Sequence, residues 1–212
     1  MHQSIEKLTH RLQQPLPGKA AQKKMAASSR QYDFSKYQPN QRTREGGVLL
    51  LLYPQQEEWY FPLIVRPTTE KGVHSGQIAF PGGKREPIDE SIVITALREG
   101  YEEVGIDRSS VQVLGQLSPL FVFASNFMVY PTIAYTPQKP IFTTSDLEVA
   151  ELLEVPLKQI ESQLTPKETL IKTKQGLEIQ APYFDFEGKV IWGATAMMLN
   201  EFMTVWREVK KI

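Results

Sequence analysis

The stretch FPGGKREPIDESIVITALREGYEEVGI, residues 80–106, joins a glycine pair to a helix with three acidic residues near its end. The helix is predicted from about Asp89 to Val104, so Glu99, Glu102 and Glu103 lie close to its C-terminus. Carboxylates at that end oppose the helix dipole and repel one another, so local stability does not explain them. The pattern therefore predicts that a cation lies between these side chains.

The three glutamates fall within one arc of about 100° on a helical wheel. The apolar residues of the helix are predicted on the opposite side: Val93, Leu97, Tyr101 and Val104. An acidic run is ordinarily a solvated face, but no lysine follows at i+4 to neutralise it, and Gly82-Gly83 end a strand just upstream. Glycine lets a ligand or a carbonyl approach closely. Such oxygen ligands favour Mg²⁺ or Mn²⁺ over zinc.

Composition limits the classes of function that need considering. The chain has 212 residues, 41% hydrophobic, no net charge and no cysteine, which excludes disulfides, thiolate zinc sites and a cysteine nucleophile. Residues 1–45 carry nine Lys and Arg against three Asp and Glu. We therefore expect a basic N-terminal arm over 1–45, with a short helix, packed on a domain over 46–212. The absence of a long apolar segment predicts a soluble protein in the cytoplasm.

The remaining pattern is richer in strands than in helices. GVLLLLYP and WYFPLIVR are joined by the polar QQEE, which predicts a hairpin. Several β-like segments follow the acidic helix, and a final amphipathic helix places Met198, Phe202 and Trp206 four residues apart. The order of elements predicts an α/β or α+β domain with a mixed sheet.

The opening stretch resembles the Nudix box, usually written G-x5-E-x7-R-E-U-x-E-E-x-G-U, where U is a bulky aliphatic residue. REGYEEVGI at 98–106 fits its second half, except that Gly100 replaces an aliphatic residue. The first half is one residue longer than the motif. The motif's acidic position, counted on from Gly83, is Asp89, whereas the same position counted back from Arg98 is Glu90. Either acid can pair with Arg98. The resemblance implies the Nudix α/β/α sandwich, with the box at about 82–106.

That resemblance implies hydrolysis of a diphosphate joined to another moiety, with Mg²⁺ or Mn²⁺ as cofactor. It assigns metal binding to Glu99, Glu102, Glu103 and the Gly83 carbonyl. The implied catalytic residues are Glu99, Arg98 and Glu103, with Arg98 orienting Glu99. The proton of the attacking water would go to Glu99 or to a more distant glutamate. Two residues are candidates for that distant acid: Glu148 and Glu151.

Four segments also resemble the coenzyme A diphosphatase branch of the family: GQIAFPGG, TALRE, EVAELLEVPL and IWGATA. The signature of that branch, L-L-T-x-R-[S/A]-x3-R-x3-G-x3-F-P-G-G, is matched at Arg66, at Gly76 and at FPGG. Pro67 replaces the small residue, and Gly72 replaces the second arginine. Lys71 is adjacent to Gly72 and is expected to substitute partly for the missing arginine. Substrate contacts are expected at four residues: Lys71, His74, Arg66 and Gly82.

These resemblances imply that coenzyme A or an acyl-CoA is cleaved to 3′,5′-ADP and (acyl-)4′-phosphopantetheine. ADP-ribose, NADH and nucleoside triphosphates are rival substrates. A binding module without activity would be expected to have damaged acidic ligands, and all three glutamates are intact. An RNA-end hydrolase using the basic arm is disfavoured by the neutral net charge. We expect a small nucleotide as partner, neither a membrane nor nucleic acid, and a homodimer as the possible assembly.

Overall fold

The computed structural model describes residues 2–28, 36–68, 76–163, 165–172, 176 and 178–211. The helices are α1 (His2–Leu12), α2 (Lys19–Gln22), α3 (Ile92–Val104), α4 (Leu157–Glu161) and α5 (Gly193–Lys211). The first strands are β1 (Arg44–Gln55), β2 (Glu58–Val65), β3 (Ile78–Ala79), β4 (Gly82–Lys84), β5 (Gln112–Gln116) and β6 (Leu120–Val122). The later strands are β7 (Phe127–Tyr135), β8 (Glu151–Pro156), β9 (Lys167–Lys172), β10 (Glu178–Phe186) and β11 (Lys189–Trp192).

The predicted hairpin is confirmed: β1 and β2 pair antiparallel, with Gln55 opposite Glu58. The two residues between them, Gln56 and Glu57, have φ values of 51° and 64°. Two-residue turns with positive φ at both positions match the twist of the flanking strands. The turn therefore directs β2 back along the second half of β1.

The main sheet is mixed, as the sequence predicts. Strand β1 pairs parallel with β7 along its length and antiparallel with β4 near its beginning. Strands β5 and β6 add antiparallel to β7, and β3 and β8 add antiparallel to β2. Because β2 pairs with the last part of β1 and β4 with the first part, the box strand lies at one end of the sheet.

Helices cover both faces of this sheet, because successive side chains of a strand point to opposite faces. Leu50 and Leu52 of β1 belong to the larger core, which also contains the apolar faces of α1 and α5. Leu49 and Leu51 belong to a smaller core with residues of α3. The α/β/α arrangement is therefore confirmed.

The beginning of the predicted arm is part of the larger core. Ile5, Leu8 and Leu12 of α1 are buried in it. The fully buried carboxylate of Glu201 accepts hydrogen bonds from the Gly18 amide at 3.0 Å and from the Gln22 side chain at 2.8 Å. This N-terminal segment therefore packs into the domain, and a division at residue 45 stays a prediction.

A second sheet, of strands β9, β10 and β11 in antiparallel order, follows the main one. The sequence predicted β-like segments here but not their separation into another sheet. In the described part of the chain, no helix has the length and apolar character needed to span a membrane.

Candidate active site

Helix α3 begins three residues later than predicted, because Ser91 caps it. The Ser91 hydroxyl accepts a hydrogen bond from the Ile94 amide at 3.3 Å. At the other end Gly105 has a φ of 72°, and its amide donates to the Tyr101 carbonyl at 2.9 Å. The Gly105 bond is the 5→1 bond of an αL C-terminal motif, and the Ile106 amide donates to the Gly100 carbonyl at 3.3 Å. Both ends of the box helix are thus fixed by local hydrogen bonds.

The buried side of α3 differs from the predicted one. Ala96, Gly100, Glu103 and Val104 are buried, whereas Tyr101, predicted to be apolar and inward, is 55% exposed. The reason is a close approach to β1: a Cβ on Gly47 would lie 2.6 Å from the Ile92 carbonyl oxygen and 2.9 Å from the Ala96 amide nitrogen. Glycine in the strand therefore lets the helix pack with one of its glutamates turned inward.

The glycine pair of the box lies beside the glutamates. The Glu99 carboxylate occupies the space that a Cβ on Gly83 would fill. The Gly82 amide donates to Glu103 Oε2 at 2.8 Å, and the Gly82 carbonyl accepts a hydrogen bond from Arg66 Nη2 at 3.0 Å. The predicted residues Arg66, Gly82 and Gly83 are therefore brought together with two of the three glutamates.

Arg98 pairs with Asp89 and not with Glu90. Its Nε and Nη2 each lie 3.0 Å from an Asp89 carboxylate oxygen. Asp89 also accepts hydrogen bonds from the Glu86 amide and the Thr95 hydroxyl, both at 2.9 Å. Hydrogen bonding to Arg98 holds the pKa of Asp89 well below its usual range, although burial opposes the shift. The Glu90 side chain is exposed, and the ion pairs of Arg98 with the described residues are to Asp89, Glu99 and Glu102.

Arg98 also contacts two of the predicted metal ligands. Its Nη1 donates to Glu99 Oε1 and to Glu102 Oε2, each at 2.8 Å. Glu102 has a side chain that is 46% exposed, whereas Glu99 has one that is 15% exposed. Burial raises the pKa of Glu99, which the charge of Arg98 partly offsets. Arg98 therefore holds Glu99 in position inside the site and Glu102 at its surface.

Glu103 is the most buried of the three glutamates, at 3% exposure. Burial raises the pKa of Glu103 to about 7, against the lowering effects of the Gly82 hydrogen bond and the charge of Arg66. The charges of Glu99 and Glu148 raise it further. Wheel geometry grouped this residue with Glu99 and Glu102 in one patch and did not predict how deeply it is buried. The pair Gly46-Gly47 is the sequence signal that allows such close packing.

The two candidates for a distant acid are placed differently. Glu148 is exposed in the loop after β7, and its charge raises the pKa values of both Glu99 and Glu103. That loop contacts the end of α3, where the Ser145 amide donates to the Glu103 carbonyl at 2.9 Å. Glu151 lies in β8 and forms an ion pair with Lys189 at 2.7 Å. The structure therefore brings Glu148, and not Glu151, towards the site.

The predicted metal ligands are not gathered into a closed set. Over the described ranges, no group of three or more His, Cys, Asp or Glu side chains is arranged to hold an ion. The physical reason is that Arg98 turns Glu102 outward, while the Gly82 amide holds Glu103 inward. The assignment of Glu99, Glu102 and Glu103 as metal ligands therefore stays a prediction.

The donor chemistry nevertheless fits a hard divalent cation. Glu99 and Glu103 are carboxylates whose charged forms are disfavoured by burial, so a bound cation would stabilise those forms. Carboxylate and carbonyl oxygens suit Mg²⁺ or Mn²⁺. Lys71 and His74, predicted to contact substrate, lie outside the described residues, as does Gly72.

Comparison with known proteins agrees with this geometry. A family model of the NUDIX domain matches residues 43–172, which contain the whole site. The chain is 37% identical over 139 residues to an uncharacterized Nudix hydrolase NudL of Photorhabdus laumondii, covering 66% of this chain and 73% of that protein. It is 39% identical over 138 residues to an uncharacterized Nudix hydrolase NudL of Yersinia pestis, covering 65% and 68%.

Among solved structures, a Nudix hydrolase from M. smegmatis, RenU, superposes with a TM-score of 0.49 at 17% identity, over 80% of this chain and 86% of that one. The domain model matches more than half of the chain, over residues that include Gly82, Arg98 and the three glutamates. The two NudL proteins are 37% and 39% identical to the chain over 73% and 68% of their length. The chain therefore belongs to the Nudix hydrolase family.

Proposed function

We propose that this Nudix hydrolase cleaves the diphosphate bridge of coenzyme A or an acyl-CoA, giving 3′,5′-ADP and (acyl-)4′-phosphopantetheine. The observation that supports a diphosphate site is the burial of Glu99 and Glu103 against the Gly82-Gly83 backbone. The raised pKa values of Glu99 and Glu103 indicate that their hydrogen bonds do not fully compensate the burial of their negative charge. Such a pair favours binding a cation together with a polyanionic substrate.

Four residues would hold Mg²⁺ or Mn²⁺: Glu99, Glu102, Glu103 and, through its carbonyl, Gly83. The ion, when bound, neutralises phosphate oxygens and acidifies a bound water. Arg98 contributes by fixing Glu99 through Oε1 at 2.8 Å, while its own position is fixed by Asp89. The ion pair of Arg98 with Asp89 therefore serves to orient a neighbouring ligand.

The chain itself supplies the proton acceptor for hydrolysis. In the reaction the oxygen of water bonds to one phosphorus, the bond from that phosphorus to the bridging oxygen breaks, and the proton of the water passes to a base. Glu99 Oε2 is one candidate for this base, because Arg98 occupies Oε1. Glu148 is the other, because it is exposed and interacts electrostatically with both buried glutamates.

The choice of coenzyme A rests on the resemblance of the segments around Arg66, FPGG and IWGATA to the diphosphatase branch. Arg66 donates to the Gly82 carbonyl and its charge acts on Glu103, so it lies where a substrate phosphate would approach. ADP-ribose, NADH and nucleoside triphosphates are the alternative substrates. Lys71 and His74 stay predicted contacts, and a cytoplasmic location and a homodimer stay predictions from the sequence.

The test is hydrolysis of separate substrates in Mg²⁺ or Mn²⁺, with products identified by mass spectrometry. We expect 4′-phosphopantetheine and 3′,5′-ADP from coenzyme A at a higher kcat/KM than any product from ADP-ribose, NADH or a nucleoside triphosphate. Glu99→Gln serves as the control for contaminating activity. A preference for another diphosphate would overturn the coenzyme A assignment, and no metal-dependent cleavage of any substrate would favour a binding module.

A further inference from the structure

A buried hydroxyl on the box helix has a partner outside that helix. Thr95, in the first turn of α3, is fully buried. Its hydroxyl oxygen lies 2.9 Å from Asp89 Oδ2 and 3.4 Å from the Ser91 carbonyl oxygen, four residues back. The carbonyl is the usual acceptor for a threonine hydroxyl within a helix. The nearer, charged oxygen makes the stronger hydrogen bond, so the single hydroxyl hydrogen is directed to Asp89.

The position of Thr95 is fixed by strand β1. Its Cβ lies 3.2 Å from the point that a Cβ on Gly47 would occupy. Because Gly47 has no side chain, Thr95 packs directly on the backbone of the strand. A β-branched side chain also has few rotamers available in a helix. The hydroxyl is therefore a fixed donor, against which the box loop, residues 85–91, is placed.

Thr95 connects the Asp89 carboxylate to the helix. Asp89 lies in the box loop, so helical geometry does not set the direction of its side chain. The Glu86 amide, which donates to Oδ2 at 2.9 Å, belongs to the same loop and moves with it. Among the described residues, Thr95 and Arg98 are the groups of α3 that donate to this carboxylate. Apart from Arg98 itself, the tie between the carboxylate and the helix is therefore the Thr95 hydroxyl.

Asp89 in turn sets the plane of the Arg98 guanidinium. Nε and Nη2 bond the two Asp89 oxygens, each at 3.0 Å. A guanidinium is planar and rigid, so two fixed nitrogens determine the direction of the third. That third nitrogen, Nη1, donates at 2.8 Å to Glu99 Oε1, which lies beside the Gly83 backbone. The hydrogen bonds therefore run without a break from Thr95 to a proposed metal ligand.

We infer that Thr95 is a positioning residue of the active site: through Asp89 and Arg98, its hydroxyl fixes the Glu99 carboxylate in the orientation that binds the divalent cation. The inference rests on the proposed function, in which Glu99 is a metal ligand. Removing a group that orients a metal ligand ordinarily lowers metal affinity or activity by about tenfold to a hundredfold.

The test replaces the hydroxyl by a methyl group in Thr95→Val and measures Mn²⁺ binding to the full chain by isothermal titration calorimetry. We expect the dissociation constant for Mn²⁺ to rise about tenfold in Thr95→Val. It should stay close to the wild-type value in Thr95→Ser, which keeps the hydroxyl. A second pair, Thr95→Ser and Thr95→Ala, differs by the hydroxyl alone, so the comparison can be made even if Thr95→Val folds poorly.

Two comparisons separate positioning from a general loss of stability. Thr204→Val is the matched control, because the Thr204 hydroxyl donates to the Asn200 carbonyl at 2.8 Å within α5, on the other face of the sheet. It should leave the Mn²⁺ affinity unchanged, even where it lowers the unfolding midpoint as much as Thr95→Val does. In an Asp89→Ala background, Thr95→Val should weaken Mn²⁺ binding no further, because its effect passes through Asp89.

Unchanged Mn²⁺ affinity in Thr95→Val, or an equal loss in Thr95→Ser, would overturn the inference. A full additional effect of Thr95→Val in the Asp89→Ala background would overturn it too. The result is separate from that of the proposed function, because binding needs no turnover. If coenzyme A is not cleaved but Thr95→Val weakens Mn²⁺ binding and Thr95→Ser does not, the proposed reaction is rejected and the role of Thr95 is retained. Cleavage of coenzyme A with a Mn²⁺ affinity that Thr95→Val leaves unchanged would do the opposite.

Discussion

Asp89 and Glu103 are two almost equally buried carboxylates, at 4% and 3% exposure, with opposite electrostatic behaviour. Hydrogen bonding to Arg98 lowers the pKa of Asp89, whereas burial raises that of Glu103 to about 7. Asp89 receives two bonds from Arg98 and one each from the Glu86 amide and Thr95. From the residues that the structure describes, Glu103 receives one, from the Gly82 amide. Equally low solvent exposure therefore accompanies a completed ion pair in one case and an incompletely compensated, more deeply placed carboxylate in the other.

This difference indicates that the Asp89–Arg98 pair contributes to stability, whereas Glu103 is suited to binding a cation. A buried carboxylate with a full set of donors stabilises the ionised form and the local structure. A buried carboxylate with a single donor costs stability unless a cation binds. The four predictions that follow test this contrast, beginning with the largest expected effect.

The largest effect is expected for Glu103→Gln. Turnover should fall about 10³-fold or more, because a ligand for the cation is lost. The thermal unfolding midpoint without metal should stay the same or rise, because glutamine can still accept the Gly82 hydrogen bond and carries no charge. Adding Mg²⁺ should raise the midpoint of the wild type more than that of the variant. Turnover and midpoint are measured on the same preparations.

The matched control is Glu90→Gln, which removes one exposed carboxylate of the box loop. It should keep wild-type turnover. Wild-type turnover in Glu103→Gln itself would show that the assignment of Glu103 as a metal ligand is wrong.

A smaller effect, on stability, is expected for Asp89→Ala. The substitution leaves Arg98, whose side chain is 11% exposed, without its bidentate partner. The free energy of unfolding should fall by about 3 kcal/mol, as for other broken buried pairs. Denaturant titration measures it, and Glu90→Ala should change the value by no more than about 0.5 kcal/mol. Equal losses in both variants would contradict the assignment of Asp89, and not Glu90, as the acid of the box loop that pairs with Arg98.

The choice between Asp89 and Glu90 shows one limit of the sequence. The box motif can be counted from either end, and the extra residue in its loop makes the two counts disagree. What decides is the loop conformation, in which the Glu86 amide and the Thr95 hydroxyl both point to Asp89. The spacing of residues in the motif cannot predict those two hydrogen bonds.

The burial of Glu103 shows a second limit. Periodicity correctly predicted the β1–β2 hairpin and helix α3, because each depends on neighbouring residues, and the order of the elements predicted the mixed sheet. The depth of Glu103 depends on how closely α3 approaches Gly47, a residue more than fifty positions away. Packing distances of this kind are tertiary properties, so the wheel gave the angular position of Glu103 without its burial.

The pH dependence of stability gives a third prediction, for protein without divalent metal. Glu103 has an ordinary pKa near 4.5, raised to about 7 by burial in the folded state. Between these values the folded state binds more protons than the unfolded state, so this group makes stability fall as pH rises. The advantage of Glu103→Gln over wild type should therefore grow from pH 5 to pH 8, by on the order of 2 kcal/mol. Urea unfolding at several pH values, with a chelator present, measures this difference; a constant difference would contradict the raised pKa.

The smallest effect concerns Gly100, which allows α3 to lie close enough to β1 for Glu103 to be buried. A Cβ at this position would lie 2.7 Å from Cδ2 of the fully buried Leu49. In the wild-type background, the gain in helix propensity from Gly100→Ala, about 1 kcal/mol, should be offset by displacement of Leu49. In a Leu49→Val background, where the side chain is shorter, Gly100→Ala should be stabilising by about 1 kcal/mol. A double-mutant cycle of unfolding free energies measures the coupling, and additivity of the two substitutions would show that the contact does not limit the approach of the helix.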